Sequence, residues 1–106
     1  MSDGCQVRGV FARMGERWSL LICRELNGRA MRFSELRTAL PGVSSKVLSS
    51  ALQRLEEDRL VRRDVTCSRP PRVRYALTPA GESLYQQVTA MAEWIKIYGT
   101  LIGPET

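Results

Sequence analysis

Apolar residues recur three and four positions apart in five stretches of the chain, the spacing that places them on one face of an α-helix. These stretches predict helices at about residues 5–14, 17–27, 34–40, 44–58 and 79–98. Residues that favour helix ends lie at the boundaries: Gly15 and Asn27-Gly28 follow the first two stretches, Ser34 is a predicted N-cap of the third, and Thr78-Pro79 begins the last. The pattern therefore predicts a mainly helical chain.

The period changes to alternation between the last two predicted helices. The apolar residues of the run 72–77 fall on one face of a strand and its arginines on the other. A second run, 60–67, is rich in Val, Thr and Arg, and the prolines of the Ser-Arg-Pro-Pro sequence at 68–71 cannot continue a helix. The predicted fold class is therefore mainly α with a small two-stranded β-hairpin.

The predicted helix at 44–58 has two chemically distinct faces. The apolar face is wide enough to lie on a core and consists of Val47, Leu48, Ala51, Leu52 and Leu55. The opposite face carries small hydroxyls, an amide and one charge, and consists of Lys46, Ser49, Ser50 and Gln53. Such a face can enter a DNA major groove and bind base edges or phosphates, although an ordinary amphipathic core helix has the same periodicity.

A tight turn joins this helix to the one before it. Pro41-Gly42 supplies the turn, and Ser44 or Ser45 can cap the helix that follows. A helix, a short glycine-containing turn and a second helix with a polar face form the helix-turn-helix pattern, which generic helical hairpins share. The hairpin that follows is then a wing, so the predicted architecture is a winged helix-turn-helix.

Positive charge is concentrated on the predicted wing. The chain has a net charge of +5 and a pI near 9.6. Residues 59–77 alone contain six arginines against one acidic residue, Asp64, which gives this segment the same net charge. Arginine on a protruding ribbon suits contact with phosphates or the minor groove, whereas strand arginines can also protect an exposed edge against aggregation.

Composition excludes several classes of chemistry. The chain has no histidine, which rules out Ser-His-Asp triads and His-containing metal sites. Cys5, Cys23 and Cys67 form no Cys-x-x-Cys pair, and Cys23 is most simply a small core residue. Because no nucleophile–base pair and no glycine-rich phosphate loop is visible, we predict no enzyme, no metal and no cofactor.

The sequence also indicates the domain organisation and the cellular location of the protein. No apolar run reaches the length of a membrane span, and the N-terminus lacks a signal-peptide pattern. We therefore expect a cytoplasmic protein with no membrane contact, and a single domain over residues 1–106.

The last predicted helix carries a long apolar seam that a small winged domain cannot easily cover. The seam consists of Leu84, Val88, Met91, Ile95 and Tyr98, widened by Tyr85 and Ala92. This seam, together with the first helix and its apolar stripe of Val7, Val10, Phe11 and Met14, is a predicted dimer interface. The alternative is that the seam packs within its own subunit.

Several stretches together resemble the HxlR-type family of bacterial transcriptional regulators, which are winged helix-turn-helix dimers related to the MarR group. The resemblance runs from Cys5 to about Trp94. It is carried by Gly15-Glu16-Arg17-Trp18, Arg24-Glu25-Leu26, Arg32-Phe33-Ser34-Glu35-Leu36, Pro41-Gly42-Val43-Ser44-Ser45-Lys46-Val47-Leu48, Leu55-Glu56-Glu57-Asp58, and Pro70-Pro71-Arg72-Val73-Arg74-Tyr75-Ala76-Leu77-Thr78.

The resemblance implies a recognition helix at 44–58, a wing at 60–77 and dimerisation through the first and last helices. It also implies a cysteine near the N-terminus, matched here by Cys5, which in several members senses quinones, aldehydes or oxidants. The chain departs from the family twice. Gln6 follows the cysteine where the family often has proline. Arg59 stands where the family often has glycine, so we expect it to end the helix without an easy left-handed conformation.

These observations predict a sequence-specific regulator, a repressor that binds a palindromic operator in double-stranded DNA as a homodimer. The predicted DNA-binding residues are Arg32, Ser44, Ser45, Lys46, Ser49, Ser50, Gln53, Arg62, Arg69, Arg72 and Arg74. Cys5, near a helix N-terminus and one turn from Arg8, is the predicted sensor of a small electrophile or oxidant, and Cys67 is the second candidate. Two alternatives stay open: Cys5 is an unreactive thiol, and the domain binds an acidic protein instead of DNA.

Overall fold

The computed structural model describes residues 7–9, 11–12 and 16–102. Residues 7–9 and 11–12 are helical. The elements that follow are α1 (Arg17–Glu25), α2 (Phe33–Ala39), α3 (Ser45–Glu57), β1 (Val61–Val65), β2 (Val73–Leu77) and α4 (Pro79–Ile102). The predicted fold class, mainly α with a small β-hairpin, is confirmed.

The helix bounds differ from the prediction by one or two residues in α1, α2 and α3, and by four residues at the end of α4. The predicted cap at Ser34 is wrong, because α2 begins at Phe33 and its N-cap position is Arg32. The backbone N–H of Arg32 donates to Glu35 Oε1 at 2.8 Å, so a glutamate inside the first turn binds the free donor at the helix start. At the other end of the chain, α4 continues past the predicted boundary at residue 98 to Ile102. The predicted Gly15 cap lies outside the described residues.

One apolar cluster joins the helices to the hairpin. α3 contributes Leu48, Ala51, Leu52 and Leu55, all with less than 2 % of their surface exposed, and α1 contributes Ile22 and Cys23. Val47, predicted to belong to the apolar face of α3, is instead 40 % exposed. It lies about a quarter turn from the middle of the buried stripe, so its side chain points past the core edge.

The hairpin is a two-stranded antiparallel sheet in which Val61 pairs with Leu77 and Asp64 with Arg74. Met31, in the connector before α2, forms an isolated bridge with Tyr75. The Met31 N–H donates to the Tyr75 carbonyl at 2.9 Å, and the Tyr75 N–H donates back at 2.7 Å. This pairing fixes the start of α2 beside the second strand of the wing.

α3 ends in a motif that requires a left-handed residue. The Leu60 N–H donates to the Leu55 carbonyl at 3.0 Å and the Arg59 N–H to the Glu56 carbonyl at 2.9 Å, the pair of bonds that defines a Schellman motif. Arg59 ends the helix with a φ of +61°, the left-handed conformation that was expected to be difficult for a residue with a Cβ. Burial of Leu60 and the two hydrogen bonds outweigh the strain, which is of order 1 kcal/mol.

The base of the hairpin is closed by Thr78. Its Oγ1 donates to the Arg59 carbonyl at 2.8 Å and accepts the Gly81 N–H at 3.0 Å, which confirms Thr78 as the N-cap of α4. The Thr78 N–H donates to the Leu60 carbonyl at 3.0 Å. A Cβ on Gly81 would clash with that same carbonyl, so glycine lets α4 approach the end of α3. Within the described residues, every helix is too short or too polar to span a membrane.

Replacing Arg59 with glycine tests the strain at the end of α3. We expect Arg59→Gly to raise the free energy of unfolding by about 0.5–1 kcal/mol, because glycine adopts positive φ without a Cβ clash. Urea denaturation followed by circular dichroism measures the change. As a control, Arg37→Gly, at an exposed helical position, should lower stability by about 1 kcal/mol. Equal destabilisation by both variants would show that Arg59 is not strained.

Candidate nucleic-acid interface

The turn between α2 and α3 has the geometry of a helix-turn-helix. Gly42 adopts a φ of +91° in this turn. Ser44 occupies the N-cap position of α3, and its Oγ accepts the Val47 N–H at 3.1 Å. The two predicted capping candidates are thereby distinguished: Ser44 caps the helix, and Ser45 is its first residue. The cap satisfies one of the backbone N–H groups that have no partner within the first turn of α3.

The polar face of α3 is open to solvent. Ser45, Lys46, Ser49 and Gln53 are exposed, and Ser50 is half-buried. Among the described residues, these five side chains form no hydrogen bond or ion pair with another protein group, so their donors and acceptors are available to solvent or a ligand. Val47 adds an exposed apolar group beside them. The sequence pattern did not predict that Val47 is exposed. Its position at the edge of the apolar stripe of the helix was the signal that could have indicated it.

A partly buried polar contact joins α3 to the start of α1. Arg54 on α3 donates from Nε and Nη2 to Glu16 Oε1, both at 3.3 Å. The hydroxyl of Ser19, which has no exposed surface, donates to the same oxygen at 3.0 Å. Glu16 is the N-cap residue of α1, so this oxygen joins the start of α1 to the C-terminal half of α3. The sequence pattern does not predict this contact, because Glu16 and Arg54 are 38 positions apart and meet only through the packing of the helices.

The wing places its arginines on different faces. Side chains alternate along each strand, and directly paired residues share a face. From the observed register, one face carries Arg62, Asp64, Arg72 and Arg74, and we call this set the arginine face. Arg63 pairs with Tyr75 and lies on the opposite face, which was not predicted.

A chain of hydroxyl groups orders the wing tip. The Arg72 N–H donates to Thr66 Oγ1 at 3.1 Å, Thr66 and Ser68 share a hydrogen bond of 2.8 Å, and Ser68 Oγ donates to the Pro70 carbonyl at 3.1 Å. A shallow concavity opens at this tip and is lined by Thr66, Ser68, Arg69, Arg72 and Arg74. The structure thus brings together three of the predicted DNA-binding arginines with two hydroxyls, a combination suited to phosphate oxygens.

The two remaining predicted arginines have different surroundings. Arg32 is half-buried at the N-cap position of α2, next to the bridge between Met31 and the wing. Arg62 already has partners within the chain: its Nε donates to both carboxylate oxygens of Asp64, at 3.1 and 3.2 Å, and its Nη1 to the Leu77 carbonyl at 3.2 Å. A phosphate would have to compete with Asp64 for this guanidinium.

The cysteines differ in accessibility. Cys23 is buried in the core, as predicted, and burial raises the pKa of its thiol to about 11. It is therefore protonated near neutral pH and a poor nucleophile. Cys67 is exposed on the wing. Cys5 lies outside the described residues.

An apolar surface lies far from these polar groups along the chain. The second half of α4 exposes Met91, Trp94, Ile95 and Tyr98, which we call the apolar face of α4. The rings of Trp94 and Tyr98 lie side by side, with centroids 5.4 Å apart. Val7 and Phe11, in the helical residues at the N-terminus, are exposed as well. By contrast, Leu84 and Tyr85 at the start of α4 pack against the core.

The geometry combines an outward polar helix, a helix-turn-helix turn and an arginine-rich hairpin. A model of the HxlR-like helix-turn-helix family matches residues 13–102. The chain belongs to this family. The winged helix-turn-helix architecture that the sequence resemblance implied is confirmed.

Similar proteins agree on the kind of function. The chain is 40 % identical over 96 residues to the HTH-type transcriptional regulator YtfH of Escherichia coli strain K12, a match that covers 91 % of this chain and 76 % of YtfH. It is also similar to a solved transcriptional regulator of the MarR family from Enterococcus faecalis V583, with a TM-score of 0.84, 30 % identity, and coverage of 94 % and 91 % of the two chains.

A third similarity is to the reduced form of the transcriptional regulator YodB from B. subtilis, with a TM-score of 0.80, 32 % identity, and coverage of 90 % of this chain and 91 % of YodB. The protein is thus a DNA-binding transcriptional regulator of the helix-turn-helix type, and its relatives have a non-enzymatic role. In the part of the chain that the structure describes, no three Cys, Asp or Glu side chains are grouped so as to hold a metal ion.

Proposed function

We propose that the protein is a homodimeric repressor that binds a palindromic operator in double-stranded DNA and is released by an oxidant or electrophile. The observation that carries this proposal is the exposed polar face of α3, together with the arginines that line one concavity at the wing tip. A regulator of this size acts most simply by occupying its operator, so we assign it repression.

α3 is the proposed source of sequence preference. Gln53 can form two hydrogen bonds with adenine, and Lys46 can donate to guanine or to a phosphate. Ser45, Ser49 and Ser50 are short enough to let the helix approach the floor of the major groove. Val47 supplies an exposed apolar group that suits the methyl group of thymine.

The wing and the start of α2 are the proposed source of general affinity. Arg69, Arg72 and Arg74 line one concavity at the wing tip, where guanidinium groups can bind neighbouring phosphates. Arg32 follows Met31, which pairs with Tyr75 of the wing, so Arg32 would extend this contact along the same DNA strand. Such contacts position the protein and do not depend on the base sequence.

The apolar face of α4 supports the proposed homodimer. Trp94, Ile95 and Tyr98 are each about half exposed, together with Met91, in one contiguous stripe. A stripe of large apolar side chains is unfavourable in water and marks an interaction surface. Two copies related by a twofold axis would place their α3 helices in successive major grooves, about 34 Å apart, which is why we expect a palindromic operator.

A thiol near this interface is the proposed signal input. YodB has been solved in a reduced form and after treatment with diamide, which supports thiol chemistry in a close relative. Cys5 stands two positions before Val7 in the sequence, and Val7 and Phe11 are exposed apolar residues of the proposed dimer surface, so we expect modification of Cys5 to act on that surface. Cys67 on the wing is the second candidate, because a modified side chain there would stand among the phosphate-binding arginines.

Selection of bound duplexes from a random pool tests the DNA function. We expect recovered sequences to contain an inverted repeat with half-site centres about 10 base pairs apart. Gln53→Ala should relax preference at one position of each half-site, at a cost of about 1–3 kcal/mol for the preferred base. Recovery of no common sequence would contradict sequence-specific binding, and a single unrepeated site would contradict the dimeric arrangement.

A charge placed on the apolar face of α4 tests the homodimer. We expect Ile95→Glu to convert a dimer into a monomer, because a carboxylate would be buried in the interface without a partner. Light scattering coupled to size-exclusion chromatography measures the mass. The control, Gln86→Glu, introduces the same charge at an exposed position on the opposite side of α4 and should leave the mass unchanged. A monomeric wild-type protein at all concentrations would refute the proposal.

Serine substitutions separate the thiols. Diamide should weaken operator binding by the wild-type protein and by Cys67→Ser, and Cys5→Ser should abolish this loss. Cys23, with a pKa near 11, should not react until the chain unfolds. Operator binding measured with and without diamide checks the three proteins. An unchanged response in Cys5→Ser together with loss of response in Cys67→Ser would move the sensor to the wing.

A further inference from the structure

An acidic residue lies at the centre of the arginine face of the wing. Asp64 is the one negative charge among the six arginines of residues 59–77. It pairs directly with Arg74 across the hairpin, has Arg62 two positions before it on its own strand, and has Arg72 on the diagonal. Direct cross-strand neighbours have Cβ atoms about 5 Å apart and diagonal ones about 7–8 Å, so three arginines lie within one Debye length of this carboxylate.

The carboxylate holds one of these arginines in a fixed position. Arg62 Nε donates to both Asp64 oxygens, while its Nη1 donates to the Leu77 carbonyl at the far end of the second strand. The guanidinium is therefore bound at two points and lies along the sheet. Arg69, Arg72 and Arg74 instead line the concavity at the wing tip, where they form no ion pair with another of the described residues.

Fold stability does not explain this arrangement. The side chains of Arg62 and Asp64 are 53 % and 52 % exposed, and exposed ion pairs contribute little to stability because water and salt screen them. A carboxylate on a surface that meets phosphates is unfavourable for binding, since like charges repel. Its presence in the middle of such a surface therefore has a consequence for affinity and not for folding.

We propose that Asp64 is a positioning residue that limits sequence-independent DNA binding by the wing. It withholds Arg62 from phosphate and reduces the positive potential of the face that carries Arg72 and Arg74. This inference rests on the proposed function, that the wing contacts duplex DNA. Because non-specific affinity comes almost entirely from neutralised phosphates, one retained carboxylate reduces binding to every sequence. Occupancy of the genome outside the operator falls accordingly.

The test measures affinity for a random-sequence duplex over a range of salt concentrations. Asp64→Asn keeps the size of the side chain and removes its charge. With Arg62 released to one additional phosphate, we expect the slope of log affinity against log salt to become steeper by about 0.9 and binding at 0.1 M salt to tighten about five- to tenfold. Arg62→Gln in the Asp64→Asn background should return the slope to its original value.

A matched control separates local from overall charge. Glu93→Gln on α4 removes one negative charge from another exposed ion pair, Glu93–Lys96, which has the same kind of 3.2 Å contact. It should leave the salt slope unchanged, and thermal unfolding should show all variants folded.

An unchanged slope in Asp64→Asn, or the same gain in Glu93→Gln, would overturn the role of Asp64 while leaving DNA binding by the wild-type protein intact. A wild-type protein that binds no duplex at low salt would overturn the proposed function and this inference together.

Discussion

Burial of one side of α3 is the interaction on which the rest of the structure depends. Leu48, Ala51, Leu52 and Leu55 fill the core from this helix, and their burial fixes its rotation about its own axis. Once that rotation is set, Lys46, Ser49 and Gln53 must face solvent, because helical geometry allows no other arrangement. The same residues that stabilise the fold therefore determine which side chains a DNA groove can meet.

Polar contacts then fix the two ends of α3 and its position against α1, which burial alone does not determine. Ser44 caps the first turn of α3, the left-handed Arg59 closes the last turn, and Glu16 holds Arg54 near the middle of the second half. Rotation, both ends and lateral position are thus specified by different interactions. A recognition helix needs this precision, since base contacts depend on donor–acceptor distances within a few tenths of an ångström.

Local patterns in the sequence predicted most of the architecture, and the errors have physical causes. Periodicity located every described helix and both strands because burial repeats at the period of the backbone. It misplaced the cap of α2, which begins one residue before Ser34 and where Glu35 accepts the Arg32 N–H, and it misjudged Val47, which lies at the limit of the stripe. Arg59 took a left-handed conformation because the Schellman hydrogen bonds required one.

Less of the candidate site than of the fold could be predicted from the sequence. The arginines of the wing tip and the face of α3 could be identified from alternation and helical spacing. The partners of individual charges could not, because contacts such as Glu16–Arg54 depend on how distant segments pack. Arg62 illustrates the difference: its residue type suggested a phosphate ligand, whereas its neighbours in three dimensions include a carboxylate and a carbonyl.

The closure of the hairpin at Thr78 has an evolutionary consequence. Thr78 donates hydrogen bonds to the carbonyls of Leu60 and Arg59 at the root of the two strands, so the ends of the hairpin are held together independently of the loop at its tip. Lineages can lengthen, shorten or recharge the intervening loop while the rest of the molecule keeps its shape. The charge of the wing tip can therefore change through substitutions in a segment of few residues, with little risk to folding.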